Sequence, residues 1–311
     1  MINGNNMFTV DETLNILKNI LYIEESDIEE YRKGKNQLEF LNKIIRSFQE
    51  NIPFHNIFAL ASTRKARPSL DDIKTRIQNG SGGLCFVNNV GIYFLLDSLN
   101  FNVSLALSSV SSPDNHLVVL VNMGNENKSL ESSDKVNLLL ENFYLVECGC
   151  GYPSFTAVPL KGLIEEGSES EIYKESFLTY KFERDGDLIL RMHGRGFIEP
   201  KTHQASKGTD FKRFYDFRTT AIKSIDELLP YFDKVFNDEN EASFICNIRA
   251  IRFPSGKAIG MRDNFLLEEE NNVLRTRELK DNNDIVRHLQ IILPKIPLSE
   301  CIQAVQRLYN N

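Results

Sequence analysis

No stretch of the chain approaches the roughly 18 consecutive apolar residues of a membrane-crossing helix, so no bilayer-spanning segment is expected. Met1 to Val10 lacks a basic flank followed by an apolar run, so no secretory leader is expected either. Basic charge is in short supply. With 36 Lys and Arg against 43 Asp and Glu, the net charge of −7 argues against nucleic acid as the main partner, because phosphate binding needs a basic surface. The locally basic stretch from Arg191 to Arg213 reads as a solvated loop or edge. Cysteine is also scarce. The chain has five, an odd number without the spacing of a disulfide framework, which reads as thiols in a reducing, cytoplasmic compartment. Cys148 and Cys150 flank a single glycine, but no second ligand pair stands at metal-binding spacing. They read as strand residues, and no metal is expected. The glycines form neither a P-loop nor a dinucleotide fingerprint, and there is no internal repeat.

What is present is globular. Hydrophobic residues make up 41% and charged residues 25%, and 311 residues exceed what one core usually serves. The pattern falls into three parts. Residues 1–101 read as helical: Leu38, Leu41, Ile44, Ile45 and Phe48 recur at helical spacing until Pro53, and Leu84 to Leu99 is apolar nearly all round, as a buried helix should be. Residues 102–217 carry short β-rich runs, including Leu117 to Val121, Phe143 to Val146, Leu178 to Phe182 and Leu188 to Leu190. Turn residues separate them, and a polar loop runs from Gly124 to Asp134, which suggests an antiparallel sheet or small barrel. In residues 218–311 helix and strand mix. Ile225 to Val235 reads as a helix, Ile245 to Phe253 as a strand, and Ile285 to Leu293 and Leu298 to Leu308 as helices split by Pro294 and Pro297. The fold class is α+β.

The most informative stretch is Gly80-Ser81-Gly82-Gly83-Leu84-Cys85-Phe86-Val87-Asn88-Asn89. Its glycines allow a sharp turn, and the helix that follows places Cys85 in a first turn, where unpaired N–H groups and the helix dipole favour a reactive thiolate. A small buried hydrophobe is the alternative for a cysteine alone. His116 opens one strand, after the turn Ser112-Pro113-Asp114-Asn115, and Glu147 closes another. If those strands pair antiparallel, histidine and carboxylate become neighbours. Glu147 shares a face with Phe143 and Leu145, so it points inward and needs a partner. Cys85 as nucleophile, His116 as base and Glu147 as the orienting acid make an activated nucleophile suited to acyl transfer.

These residues resemble the arylamine N-acetyltransferases. The family motif Arg-Gly-Gly-aromatic-Cys-Phe-Glu-x-Asn is similar to Ser81-Gly82-Gly83-Leu84-Cys85-Phe86-Val87-Asn88-Asn89. The histidine strand resembles His116 to Val121, and Val-Asp-Val-Gly-Phe-Gly resembles Val146-Glu147-Cys148-Gly149-Cys150-Gly151. Phe155 to Leu160 is similar to Pro-Thr-Ala-Pro-Leu, and Ile52-Pro53-Phe54-His55-Asn56 to Ile-Pro-Phe-Glu-Asn. All five stand in order and register from about residue 10 onward. The resemblance implies a helical domain, a β-barrel domain and an α/β lid, with a cysteine-protease-like triad core between the first two. It also implies acetyl-CoA as donor substrate with no bound cofactor, an acetyl-cysteine intermediate in a ping-pong path, and a small aromatic amine or hydrazine as acceptor.

Four positions depart from the family pattern. Glu147 is one methylene longer than the family aspartate, Ser81 replaces Arg, His55 replaces Glu, and Val87 replaces Glu. If the family Arg and Glu form an ion pair, both partners are gone together, which is more tolerable than losing one. His55 is a second candidate base, but His116 holds the family position. An amide synthase or another acyltransferase on the same scaffold, a cysteine hydrolase and a catalytically silent binding homologue stay open as alternatives.

Overall fold

The computed structural model describes residues 7–63, 65–124, 140–194, 210–218, 220, 222, 225–237 and 246–309. The polar loop after Gly124 and the basic residues Arg195, Lys201 and Lys207 lie outside them. Among the described residues, no helix is long and apolar enough to cross a membrane.

The first part is helical: α1 (Val10–Asn15), α2 (Glu25–Arg32), α3 (Gln37–Asn51), α4 (Ile57–Ala61), α5 (Leu70–Asn79) and α6 (Cys85–Ser98). In α3 the apolar period predicted from the sequence becomes one buried stripe, Phe40, Leu41, Ile44, Ile45 and Phe48. Helix α6 has no polar face, and every residue from Cys85 to Leu96 is buried. Full burial of a side chain such as Phe86, Leu95 or Leu96 contributes roughly 1.5–3 kcal/mol. The helix that carries Cys85 is therefore fixed along its length.

Eight antiparallel strands follow in one sheet: β2 (Asn102–Ser109), β3 (His116–Asn122), β4 (Phe143–Val146), β5 (Val158–Pro159), β6 (Tyr173–Glu175), β7 (Leu178–Asp185), β8 (Leu188–Gly194) and β9 (Phe211–Arg218). Their order is β5-β4-β3-β2-β9-β8-β7-β6. The sheet curls around Val118, Leu120, Leu145, Tyr180, Phe182 and Phe217. Its two ends meet through a side chain instead of a ladder: Glu175 of β6 accepts from the Phe155 N–H at 2.9 Å, just before β5. This is the predicted barrel-like sheet, closed by a carboxylate.

The last part contains a second sheet, in the order β1-β10-β11-β12-β13, built from β1 (Phe54–His55), β10 (Arg249–Arg252), β11 (Ile259–Arg262), β12 (Phe265–Glu270) and β13 (Val273–Glu278). Residues of α7 (Leu229–Asn237) pack against the α6 core, whereas α8 (Asn282–Ile292) and α9 (Leu298–Tyr309) cover one face of this sheet through Ile285, Leu289, Ile292, Ala304 and Val305. Of these strands only β10 was expected, within Ile245 to Phe253. The strands β11 to β13 interleave Arg262, Glu268, Glu270, Arg275 and Arg277 with few apolar residues, which obscures their alternation. Strand β1 is two residues long, and it ties the helical part to the C-terminal sheet by pairing Phe54 with Ile251.

Candidate active site

Cys85 is presented by a turn that only glycine can make. After α5, which Gly80 caps, Gly82 adopts φ +69°, and a Cβ there would lie 2.2 Å from the Pro53 carbonyl oxygen. Phe54 bridges to Gly83, and the His55 N–H donates to the Gly83 carbonyl at 3.0 Å, so the turn is pinned on both sides. Cys85 opens α6 with 8% of its surface exposed. His116 is the first residue of β3 and is 3% exposed. The turn before it is held by Asn115, whose Oδ1 accepts from the Val110 N–H at 2.9 Å. Strands β3 and β4 pair antiparallel with Val119 opposite Val146. The start of one thus lies beside the end of the other, where Glu147 stands just past β4.

His116 Nε2 lies 2.7 Å from Glu147 Oε2. The second carboxylate oxygen, Oε1, accepts from Asn89 Nδ2 and from the Gly149 N–H, both at 2.8 Å. Burial pushes Glu147 up, but the His116 charge and the hydrogen bonds from His116, Asn89 and Gly149 hold it below the ordinary carboxylate range. An ionised carboxylate only accepts, so Nε2 carries the proton and donates, and Nδ1 is left for the hydrogen bond with Cys85. Burial alone would push the His116 ring down. The charge of Glu147 and the bonds to Cys85 and Glu147 outweigh it and raise the imidazole well above its ordinary value. The arrangement favours the protonated imidazole, the state that His116 reaches on taking a proton from a neighbouring group.

A sequence model of the N-acetyltransferase family matches residues 37–294. The chain belongs to the N-acetyltransferase family. No curated protein matches the sequence significantly, but the fold is shared with solved family members. The chain is similar to the arylamine N-acetyltransferase from Mycobacterium abscessus, at 15% identity and a TM-score of 0.73, over 99% of each chain. It is similar to the Mycobacterium marinum arylamine N-acetyltransferase in complex with CoA, at 14% identity and 0.70, over 95% of this chain and 99% of that one. It is also similar to an arylamine N-acetyltransferase from Bacillus cereus whose structure revealed a unique Cys-His-Glu catalytic triad, at 18% identity and 0.65, over 91% and 97%.

In this N-acetyltransferase the helix of Cys85 does more than carry the thiol. Asn89 lies one turn further along α6, so it faces the same side. Besides Glu147, its Nδ2 donates to the Leu117 carbonyl at 2.7 Å, and its Oδ1 accepts from the Cys148 N–H at 3.0 Å. One side chain thereby locks α6, β3 and the turn after β4 together. Gln49 of α3 supports the same turn, donating to the Glu147 carbonyl at 2.8 Å and accepting from the Ser154 N–H at 3.1 Å. In the sequence neither Asn89 nor Gln49 shows a role. The helical i, i+4 spacing from Cys85 was the signal for Asn89, and nothing local marked Gln49.

His55 does not approach this constellation. Its Nε2 donates to the Ser81 carbonyl at 3.0 Å, and its Nδ1 accepts from the Ile57 N–H at 3.1 Å. Burial, aided by the Arg76 charge, pushes it down to about 3, so it is a neutral structural residue. Positions 55 and 81 are neighbours, as expected if a family ion pair has been exchanged as a unit. Two expectations need correction. Cys148 and Cys150 lie in bends after β4, not in a strand, because Glu147 leaves the ladder to reach His116. Arg191 is fully buried in β8 and not solvated: it donates to the Pro153 carbonyl at 2.8 Å and to Cys150 Sγ at 3.4 Å, and it lies 4.2 Å from the centre of the Tyr180 ring.

Cys85 and His116 line a cavity that encloses about 1080 Å³ of empty space, counting its mouth. Its walls come from all three parts of the chain: Phe54 and Leu84, then Tyr152, Phe177 and Phe214, then Ile251 and Leu267. Aromatic and aliphatic surface dominates, which suits an organic substrate with few polar groups.

Proposed function

We propose that this N-acetyltransferase moves an acetyl group from acetyl-CoA to the nitrogen of an arylamine or hydrazine through an acetyl thioester on Cys85. Three catalytic roles follow: Cys85 is the nucleophile, His116 the base and Glu147 the residue that orients and charges the imidazole. The observation that carries this reading is the 2.7 Å bond between His116 Nε2 and Glu147 Oε2, which leaves Nδ1 for the thiol in an apolar cavity. The CoA complex of the Mycobacterium marinum relative and the Cys-His-Glu triad of the Bacillus cereus relative support it.

In the first half-reaction His116 Nδ1 takes the thiol proton and the thiolate attacks the acetyl carbonyl. The tetrahedral intermediate collapses, and the departing CoA sulfur takes the proton from the imidazolium. In the second, the amine nitrogen attacks the thioester carbon. Its proton passes to His116, and the Cys85 thiolate leaves. The first-turn N–H groups of α6 and the positive end of its dipole are placed to stabilise the oxyanion in both. We further propose the division into units 1–101, 102–217 and 218–311. The eight-stranded sheet supports the middle unit, and β1 interlocks the first with the third. The cytoplasm is the proposed compartment, in keeping with five free cysteines.

Rapid mixing with acetyl-CoA tests this function. A burst of free CoA equal to the enzyme concentration should appear before any amine is added, and later turnover should require the amine. Continuous CoA release without amine would instead mean a hydrolase.

A further inference from the structure

Strand β8 carries a cation into the interior of the barrel-like sheet. Arg191 is fully buried, and among the described residues no carboxylate stands at ion-pair distance from it. Its Nη2 donates to the Pro153 carbonyl at 2.8 Å and its Nη1 to Cys150 Sγ at 3.4 Å. Both partners belong to the turn that leads away from Glu147, and Gly149 to Tyr152 of that turn line the cavity. A neutral side chain with two donors could make the same bonds. A buried charge is far more expensive than a buried amide unless an opposite charge balances it, so the guanidinium needs a counter-ion.

The surroundings name it. Burial pushes the guanidinium down, and its attraction to Cys150, Tyr215, Tyr180 and Glu147 outweighs that loss. The first three are neutral near neutral pH, since burial pushes the Cys150 thiol up to about 12 and both phenols well above their ordinary value. Glu147 is the anion. Glu175 lies beyond the Tyr180 ring, accepting its hydroxyl at 2.8 Å, but it is only half-buried and water screens it. His193 on the same strand is held neutral, pushed down to about 2 by burial and by the Arg191 charge. The Tyr215 ring touches both places: its centroid lies 5.8 Å from Arg191 Cζ and 5.5 Å from the centroid of the His116 ring.

Building on the acyl-transfer reading above, we propose that Arg191 is the fixed counter-ion of Glu147, a positioning residue that keeps this carboxylate ionised while His116 is neutral. His116 changes charge in each half-reaction. Once the departing CoA sulfur has taken the imidazolium proton, a carboxylate paired with His116 alone would be a buried charge without a cation, and burial would favour its protonated form. A protonated Glu147 no longer requires a proton on Nε2, so the ring could carry it on Nδ1 and lose the base that faces Cys85. Arg191 keeps its charge throughout, and in a low-dielectric interior its field reaches Glu147 without direct contact. It touches no reacting atom.

The test is the pH profile of Cys85 alkylation by iodoacetamide in the wild type, Arg191→Met and Arg191→Lys. The profile reads the thiolate, which the imidazolium charged by Glu147 supports. Exchange of a buried charge for an apolar chain of similar volume is often well tolerated, so Arg191→Met is expected to fold. Arg191→Gln, which can still donate to the Pro153 carbonyl, is a second neutral variant, and either one decides. Loss of the charge should move the acid limb to higher pH by about one unit. Arg191→Lys should keep the wild-type limb even where its rate is lower, because it retains the charge and loses the fork. In a Glu147→Gln background, Arg191→Met should leave the limb in place, since the carboxylate it acts through is gone. An unmoved limb in the neutral variants, or an equal move in Arg191→Lys, assigns Arg191 to the turn alone and overturns the proposal. So does an equal shift in the Glu147→Gln background, because the charge would then act on the thiol directly. Iodoacetamide needs no acyl donor, so this result stands apart from acetylation of Cys85 by acetyl-CoA, whose absence would sink the acyl-transfer reading.

Discussion

Glu147 carries one methylene more than the aspartate of the family motif, and its hydrogen bonds show how the extra reach is absorbed. The side chain turns back so that Oε1 meets the Gly149 N–H two residues on, while Oε2 meets His116. Glu147→Gln keeps the volume and removes the charge that supports the imidazolium. Acetylation of Cys85 should slow by roughly a thousandfold or more. The pH profile of Cys85 alkylation should move to higher pH, because the lost charge is what raises His116 against its burial. Glu147→Asp should fold and be slowed on the order of a hundredfold, since its shorter reach misplaces the carboxylate by about 1 Å. Wild-type rates in Glu147→Gln by single-turnover acetylation would remove Glu147 from the triad. The two histidines should separate in kind. His116→Ala should be nearly inactive even in its folded fraction. His55→Ala should lose about 1–3 kcal/mol of stability, because the Ser81 carbonyl and Ile57 N–H lose their buried partner, and its folded fraction should keep turning over. Chemical denaturation beside steady-state assay distinguishes them. At this scale the meeting of His116 with Glu147, and the place of Cys85 at a helix start, were legible because chemistry restricts their residue types. Asn89 and Gln49 were not, because their roles are hydrogen bonds to backbone 28 to 98 residues away.

At the scale of elements, the site is a meeting of one helix start, one strand start and one strand end. The helices α3 and α6 could be read from apolar period and from its absence, and β3 and β4 from their β-rich runs. What could not be read is contact between elements. Gly149 illustrates the difference: in the sequence it is one glycine in a bend, and in the structure a Cβ there would fall 2.9 Å from both the Cys85 Cα and the Asn89 Cγ. Gly149→Ala must push apart the turn after β4 and the first turn of α6. We expect a folded protein whose acetylation rate falls by about two orders of magnitude, since the displacement acts on the thiol and on the locking asparagine together. A rate within a few-fold of wild type would show that the two elements are not tightly coupled.

Across the whole molecule, buried histidines tie stability to pH in opposite directions. Burial, aided by Arg76, takes His55 down to about 3, and burial aided by Arg191 takes His193 to about 2. Their contributions are fully present above the unfolded value of 6.5 and are lost as pH falls through that value toward the folded ones. Each steepens the acid limb by about 1.4 kcal/mol per pH unit. His116 is raised, so its contribution is fully present below 6.5 and is lost as pH rises through its folded value. Stability should therefore be greatest near neutral pH. Urea midpoints measured from pH 6.5 down to 5 should fall less steeply for His55→Gln than for the wild type; parallel curves would contradict the neutral, buried state of His55. The cavity belongs to this scale too. Its walls draw on residues from Phe54 to Leu274, which is why it was invisible in the sequence. The central claim is covalent, and peptide mass spectrometry tests it most directly. After mixing with acetyl-CoA, one acetyl group should appear on the peptide containing Cys85. An added arylamine should remove it as the N-acetylated product, and Cys85→Ala should acquire none. An acetyl group on another residue, or wild-type turnover by Cys85→Ala, would contradict the account.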